Sequence, residues 1–162
     1  HAPRVLPSFP TRRSSDLHFL NRRHDREQAL RAVGLCKENG IPNISIDLIY
    51  GLPGQTLEEW QENLNDAIHL EIPHISAYHL IYEEGTALYK LMEAGKVAPI
   101  EEELSVTLFS TLINRLAEAG YLHYEISNFA RPGYFSQHNS SYWTGKKYIG
   151  IGPSAQIGRA HV

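Results

Sequence analysis

Residues 44–60, ISIDLIYGLPGQTLEEW, decide the fold. The first seven are rich in β-branched and aromatic side chains and have the length of a strand, so they predict a β-strand over Ile44–Tyr50. Two glycines and a proline close this strand in a tight loop at residues 51–54. Thr56 and Glu59 stand at the spacing of a capping box, which predicts that a helix begins directly after Thr56.

The alternation of helix and strand continues on both sides of this stretch. Upstream, Asp25 and Gln28 form a second capping-box pair before a helix that Asn39-Gly40 ends. Downstream, His74–Leu80 predicts another strand. This order is typical of right-handed βα crossovers and predicts an α/β fold with a parallel sheet or barrel. Two such units are too few to close a barrel, so we expect the chain to belong to a larger protein.

Two helices and a strand are predicted after residue 83. The first helix is short and ends near Gly95. The acidic triplet Glu101–Glu103 opens a longer one, because negative charge is favourable at a helix N-terminus. Tyr121–Ser127 predicts a strand. The longer helix carries its core stripe at helical spacing, in Leu104, Leu108, Leu112 and Leu116.

Composition excludes several classes of protein. The chain has 162 residues, of which 42% are hydrophobic and 20% charged, as in an ordinary globular protein. A formal net charge of -3 argues against a nucleic-acid binder. No apolar run approaches the length of a membrane span. The single cysteine, Cys36, excludes an internal disulfide and favours a reducing, cytoplasmic compartment.

The two ends of the chain differ in character from the middle. Residues 1–17 combine prolines, arginines and serines without an apolar period, and residues 156–162 break off from the pattern before them. Adapter-derived sequence explains both ends, and a natural basic tail or a transit segment is the alternative for residues 1–17. We therefore expect residues 1–17 to be non-native or disordered and residues 156–162 to be non-native.

Asp47 is the first candidate for chemistry, because it interrupts an otherwise apolar strand near its carboxyl end. In parallel α/β folds such a position faces the ligand, where a carboxylate suits paired hydroxyls or a cation. A structural carboxylate is the equal alternative. The glycine-bearing loop at 51–56 could cradle an anion, although it matches no phosphate-binding pattern and a plain turn is favoured.

Two further groups of side chains could bind a ligand. Arg22, next to Arg23 and His24, could hold a carboxylate, although a solvated charge cluster is the commoner outcome. His138 opens the segment HNSSYW, and imidazole among aromatic rings suits haem. A packed loop is the alternative. Three other histidines look like ordinary strand positions and form no convergent metal set, namely His74, His79 and His123.

Taken together, the chain resembles radical S-adenosylmethionine (SAM) proteins of the coproporphyrinogen dehydrogenase type, and especially the HemW haem chaperones. The resemblance covers residues 18–155. It rests on motifs that occur in order, namely LNRRHD (20–25), NISIDLIYGLPGQTLEEW (43–60), HISAYHLIYEEGT (74–86), AGYLHYEISNFARPGY (119–134), and HNSSYW (138–143) with YIGIGPSA (148–155).

The resemblance implies a fold and a set of cofactors. Residues 18–98 would form the C-terminal half of a partial (β/α)6 barrel, and residues 99–155 the start of a smaller α+β accessory domain. The intact protein would bind SAM, a 4Fe-4S cluster and haem. By position in the motifs, Arg22, Asp47 and Ile81 would contact SAM, and His138 would hold haem and could ligate its iron.

The chain also departs from the family pattern. The Cys-x-x-x-Cys-x-x-Cys motif of the cluster is absent, Asn21 replaces a glycine, and Gln156 stands where a histidine is usual. Because iron–sulfur clusters need thiolates, we expect this chain alone to hold no cluster and to be inactive.

The function implied for the intact protein is haem binding and delivery to acceptor proteins. The first alternative is oxygen-independent oxidation of coproporphyrinogen III in porphyrin biosynthesis. The second is a non-catalytic binding module that ends where the chain ends, which a three-cysteine motif in the genomic sequence before residue 18 would exclude.

Overall fold

A computed structural model describes residues 4–5, 19–20 and 24–136, the first pair as backbone only. It contains five strands: β1 (Arg4–Val5), β2 (Ile44–Tyr50), β3 (His74–His79), β4 (Leu122–Glu125) and β5 (Asn128–Ala130). Its helices of seven residues or more are α1 (Arg26–Glu38), α2 (Leu57–His69), α3 (Ala87–Glu93) and α4 (Glu102–Glu118). Strand β1 lies within the segment that the sequence predicts as a tail.

Both predicted capping boxes are confirmed. The Asp25 side chain accepts from the Gln28 backbone, and the Gln28 side chain accepts from the Asp25 backbone in return. Thr56 and Glu59 repeat the arrangement at the start of α2. These reciprocal bonds satisfy N–H groups that a helix start leaves without partners, so the sequence alone fixes where both helices begin.

The sheet has the strand order β1-β2-β3-β5-β4. Strands β2 and β3 are parallel, as predicted, and β1, which the sequence does not predict, is also parallel to β2. Strand β5 is antiparallel to both β3 and β4. The strand predicted over Tyr121–Ser127 is present as β4 but ends at Glu125, because the chain reverses there and β5, which the sequence did not predict, inserts between β3 and β4. The turn at Ile126-Ser127 carries no glycine, proline or asparagine to signal the reversal.

The core lies on one face of the sheet, under the helices. Trp60 of α2 is fully buried, and its indole Nε1–H donates to the Leu108 carbonyl of α4 at 3.0 Å. Tyr121, just before β4, donates its hydroxyl to the Ile72 carbonyl at 2.6 Å. Helix α4 and the β4–β5 hairpin thus share the core and the sheet of the residues before 99. The division into two domains near residue 99 stays a prediction.

Candidate functional site on the inner face of the sheet

The face of the sheet opposite the helices is polar, and we call it the inner face. Successive side chains of a strand point to opposite faces. In β2 the residues Ile44, Ile46, Leu48 and Tyr50 belong to the helix-covered core, so the intervening side chains belong to the inner face. The strand register adds alternate residues of its neighbours. The inner face therefore comprises Ser45, Asp47, Ile49, His74, Ser76, Tyr78, Asn128 and Ala130.

Asp47 lies at the centre of the inner face, between the core residues Ile46 and Leu48 of its own strand. It is half-buried, and its register partner on β3 is Ser76. Burial raises the pKa of the nearby Tyr78 phenol, and the Asp47 carboxylate raises it further, whereas a hydrogen bond with Ser76 lowers it. A protonated phenol and a carboxylate therefore belong to the same face of the sheet, which the described helices do not cover.

A polar row crosses the sheet at the level of Asp47. Ser76 on β3 pairs in register with Asn128 on β5, which pairs with Glu125 on β4. The Ser76 hydroxyl donates to the Asn128 side-chain oxygen at 2.9 Å, and the Asn128 amide donates to the Glu125 carboxylate. These bonds fix the orientation of the amide, so the row presents ordered donors and acceptors beside Asp47.

A second polar group lies one level lower, around His74. This histidine is 2% exposed, and its ring nitrogens contact the Ser45 hydroxyl at 2.7 Å and the Tyr124 hydroxyl at 2.7 Å. Burial lowers the pKa of His74 to about 4, so the ring is neutral at physiological pH. A neutral imidazole donates at one nitrogen and accepts at the other. The two hydrogen bonds of His74, to Ser45 and to Tyr124, therefore connect β2, β3 and β4.

An open pocket of about 430 Å³ lies beside the end of β3, past the point where β5 stops pairing with it. Ile81 lines its rim and is 69% exposed. Its floor includes His79, whose Nδ1–H donates to the Leu80 carbonyl at 2.8 Å and whose Nε2 accepts from the Ser105 hydroxyl at 2.9 Å. The other lining residues are mainly apolar and include Tyr78, Val106, Phe109 and Ile126.

The four site residues from the sequence analysis fare differently. The structure places Asp47 on the inner face and Ile81 at the pocket. Tyr78 belongs to the inner face and also lines the pocket. Arg22 and His138 lie outside the described residues. For all four residues, the assignment to a ligand-binding site stays a prediction.

The loop at 51–56 behaves as a turn. The Gln55 side-chain oxygen accepts from the Gly51 amide at 2.8 Å and from the Leu52 amide at 3.4 Å. The two amides that could face an anion therefore already have an acceptor from the same loop. This supports the plain-turn interpretation over an anion cradle.

Sequence reasoning missed the roles of two histidines. The sequence predicts ordinary strand positions for His74 and His79, yet the two side chains lie on opposite faces and each bonds a hydroxyl from a distant element. Because strand side chains alternate, the odd separation of five residues predicts that the two histidines lie on opposite faces. No feature of the nearby sequence identifies Tyr124 or Ser105 as their hydrogen-bond partners. Among residues 4–5, 19–20 and 24–136 no group of three His, Cys, Asp or Glu side chains is placed to hold a metal ion.

The cluster motif has no substitute in this chain. An iron–sulfur cluster needs several thiolates. The sequence has one cysteine, and the half-buried Cys36 packs against the core from α1. The residues present therefore do not fit a 4Fe-4S cluster.

In the part of the chain that the structure describes, no helix is both long and apolar enough to span a membrane.

Residues 9–67 match the Radical SAM superfamily. Over these residues the chain is similar to radical SAM proteins. It is 38% identical over 139 residues to radical S-adenosyl methionine domain-containing protein 1, mitochondrial, from Danio rerio, an alignment that covers 86% of this chain and 31% of that protein. To heme chaperone HemW from Bacillus subtilis (strain 168) it is 36% identical over 139 residues, covering 86% of this chain and 37% of that protein.

Two solved structures share the fold of this chain. Coproporphyrinogen III oxidase (HemN) from Escherichia coli aligns over 90% of the chain and 33% of its own length, with a TM-score of 0.69 and 21% identity. Archaeal Elp3 from Methanocaldococcus infernus aligns over 68% of the chain and 26% of its own length, with a TM-score of 0.59 and 23% identity. The α/β fold class predicted from the sequence is confirmed. The chain spans about a third of the length of the curated relatives named above.

Proposed function

We propose that this chain is part of a HemW-like protein that binds haem and SAM and passes haem to acceptor proteins. Two observations support this proposal together. This chain is 36% identical to a heme chaperone HemW, and its Asp47 lies on the polar inner face rather than in the helix-covered core. In this proposal residues 18–98 belong to the barrel and residues 99–155 begin the accessory domain. A 4Fe-4S cluster would depend on thiolates supplied elsewhere in the full-length protein.

SAM would lie against the inner face around Asp47. When bound, it supplies the radical chemistry of the superfamily. The carboxylate of Asp47 suits its hydroxyls or its ammonium group, and the protonated Tyr78 phenol can donate a hydrogen bond alongside. Ile81 contributes apolar surface at the neighbouring pocket, and Arg22 contributes a guanidinium.

The predicted cytoplasmic location stays a prediction, because the name of the Danio rerio relative places that protein in mitochondria.

Replacing Asp47 tests the SAM site. In the full-length protein we expect Asp47→Asn to weaken SAM binding about tenfold or more, because the isosteric amide loses a charge-assisted hydrogen bond worth about 1.5–3 kcal/mol. Isothermal titration calorimetry measures the affinity, and a thermal melt measures stability. Asp66→Asn is the matched control, since Asp66 forms an ion pair with Arg26 at 2.8 Å. A lower melting temperature together with an unchanged SAM affinity would contradict a SAM-binding role and assign Asp47 a structural role.

Replacing His138 tests the haem site. We expect His138→Ala in the full-length protein to weaken haem binding at least tenfold and to move the Soret band, because the imidazole suits haem iron as an axial ligand. A Soret titration measures both effects. His69→Ala serves as the control, because His69 is exposed on α2 and bonds the Asn65 carbonyl four residues away. Identical titrations for the variant and the wild type would assign the iron ligand to another residue.

The alternative function is oxygen-independent oxidation of coproporphyrinogen III, which the structural similarity to HemN favours. Supplying this substrate and SAM to the full-length protein with a reconstituted cluster separates the two functions. Formation of protoporphyrinogen would contradict the haem-chaperone proposal. Haem uptake without turnover would support it.

A further inference from the structure

The strands of the sheet carry formal charge on the inner face. Histidines aside, strands β2 to β5 contain two charged residues, Asp47 and Glu125, and both are acidic. Asp47 belongs to the inner face, and the Glu125 carboxylate accepts a hydrogen bond from the Asn128 amide on the same face. A ligand that rests on these four strands therefore meets two negative charges from them and no positive charge.

A β-bulge turns Glu125 toward the inner face. In the β4–β5 ladder His123 pairs with Phe129 and Glu125 pairs with Asn128, so two steps along β4 match one step along β5. In a regular strand Glu125 would point to the same side as His123, whose ring stacks on the core residue Phe129 at 4.3 Å. Because bulges are common next to functional sites, where they redirect a side chain, this one indicates a role for Glu125 on the inner face.

Buried neighbours hold the Glu125 carboxylate in place. Its Oε2 accepts from the Asn128 side chain and, at 3.4 Å, from the Ser127 backbone N–H. Asn128 is 4% exposed and accepts in turn from the Ser76 hydroxyl at 2.9 Å. Both hydrogen bonds of Glu125 use the same oxygen, and Oε1 accepts none from the described residues. The carboxylate is only half-buried, so it is oriented by the sheet and still accessible to a ligand.

The two carboxylates act on the same region of the inner face. Asp47 pairs in register with Ser76, Ser76 with Asn128, and Asn128 with Glu125. The Cα atoms of the two acidic residues are therefore three strand spacings apart, or about 14 Å. Burial raises the pKa of the Tyr78 phenol, a hydrogen bond with Ser76 lowers it, and both carboxylates raise it further. The negative potentials of the two carboxylates thus overlap, which favours a positively charged group there.

We propose that Glu125 is a specificity-determining residue of the inner face and that, together with Asp47, it selects a ligand with a net positive charge. This rests on the proposed function, in which SAM lies around Asp47. SAM carries a positive sulfonium next to the ribose, whose hydroxyls suit Asp47. S-adenosylhomocysteine lacks the sulfonium methyl group and with it this charge. The inner face should therefore prefer SAM, and Glu125 should provide part of that preference.

The test compares the binding of both ligands to Glu125→Gln, made in the full-length protein. Glutamine keeps an oxygen that can accept from Asn128 and removes the negative charge. By isothermal titration calorimetry we expect the SAM dissociation constant to rise about fivefold, because one nearby attraction is lost, while that of S-adenosylhomocysteine changes little. Glu118→Gln is the matched control and should change neither, because it removes the same charge from an exposed side chain of α4.

A conservative variant separates the charge of Glu125 from its structural contacts. Glu125→Asp keeps the negative charge on a shorter side chain, so it should keep most of the preference for SAM. An unchanged SAM affinity in Glu125→Gln, an equal loss for both ligands, or the same loss of preference in Glu125→Asp would contradict selection by charge. A wild type that bound neither ligand would overturn the proposed function and this inference with it. Wild-type binding with an unaltered preference in Glu125→Gln would contradict the role of Glu125 alone.

Discussion

Gly51→Ala should destabilise the chain by about 3 kcal/mol, because two effects add at this position. Gly51 has φ +78°, a backbone conformation that costs an alanine roughly 1–2 kcal/mol. A Cβ at residue 51 would also lie 2.6 Å from His79 Nε2. The imidazole cannot easily move away, since it bonds the Leu80 carbonyl and the Ser105 hydroxyl and meets the Tyr50 ring edge to face at 5.1 Å.

Urea denaturation of Gly51→Ala, His79→Ala, the double variant Gly51→Ala/His79→Ala and Gly54→Ala measures the two effects separately. Gly54 has φ +69°, but a Cβ there meets nothing within 4 Å, so Gly54→Ala should show the backbone cost alone. Removing the His79 ring should recover the steric part of the Gly51→Ala loss, seen as a favourable coupling of roughly 1–2 kcal/mol in the double-mutant cycle. Equal losses for Gly51→Ala and Gly54→Ala would show that His79 does not restrict residue 51.

Acidification should destabilise the chain through His74. Burial lowers the pKa of His74 to about 4 in the folded chain, from an ordinary value of 6.5. Between pH 6.5 and pH 4 the unfolded chain therefore binds a proton at this site that the folded chain does not. Stability falls through this window by a total of about 3 kcal/mol, and below pH 4 the site contributes no further loss. Above pH 6.5 the ring is neutral in both states.

The pH dependence is isolated by comparing variants, because carboxylates titrate in the lower part of the same range. The free energy of unfolding, measured at half-unit steps from pH 7.5 to pH 4, should fall less steeply in His74→Gln than in the wild type. Parallel curves for the wild type and His74→Gln would contradict a neutral, buried His74.

The sequence by itself determined the elements whose signals are local. Strand β2 begins and ends where the run of β-branched and aromatic residues does, and both capping boxes form as predicted. The capping boxes rest on contacts between residues three positions apart, and the strand signal rests on the side-chain types of one seven-residue run. The placement of Asp47 on the face opposite the core also follows locally, because strand side chains alternate and its neighbours Ile46 and Leu48 are apolar.

Only the tertiary structure decided how the inner face is assembled. Strand β5 is three residues long, so its insertion between β3 and β4 depends on pairing with residues more than 50 positions away. The contacts of His74 with Tyr124 and of His79 with Ser105 likewise join residues separated by 50 and 26 positions. Which hydroxyl meets which imidazole is set by strand order and register, and these depend on the free energy of the whole core rather than on any short stretch of sequence.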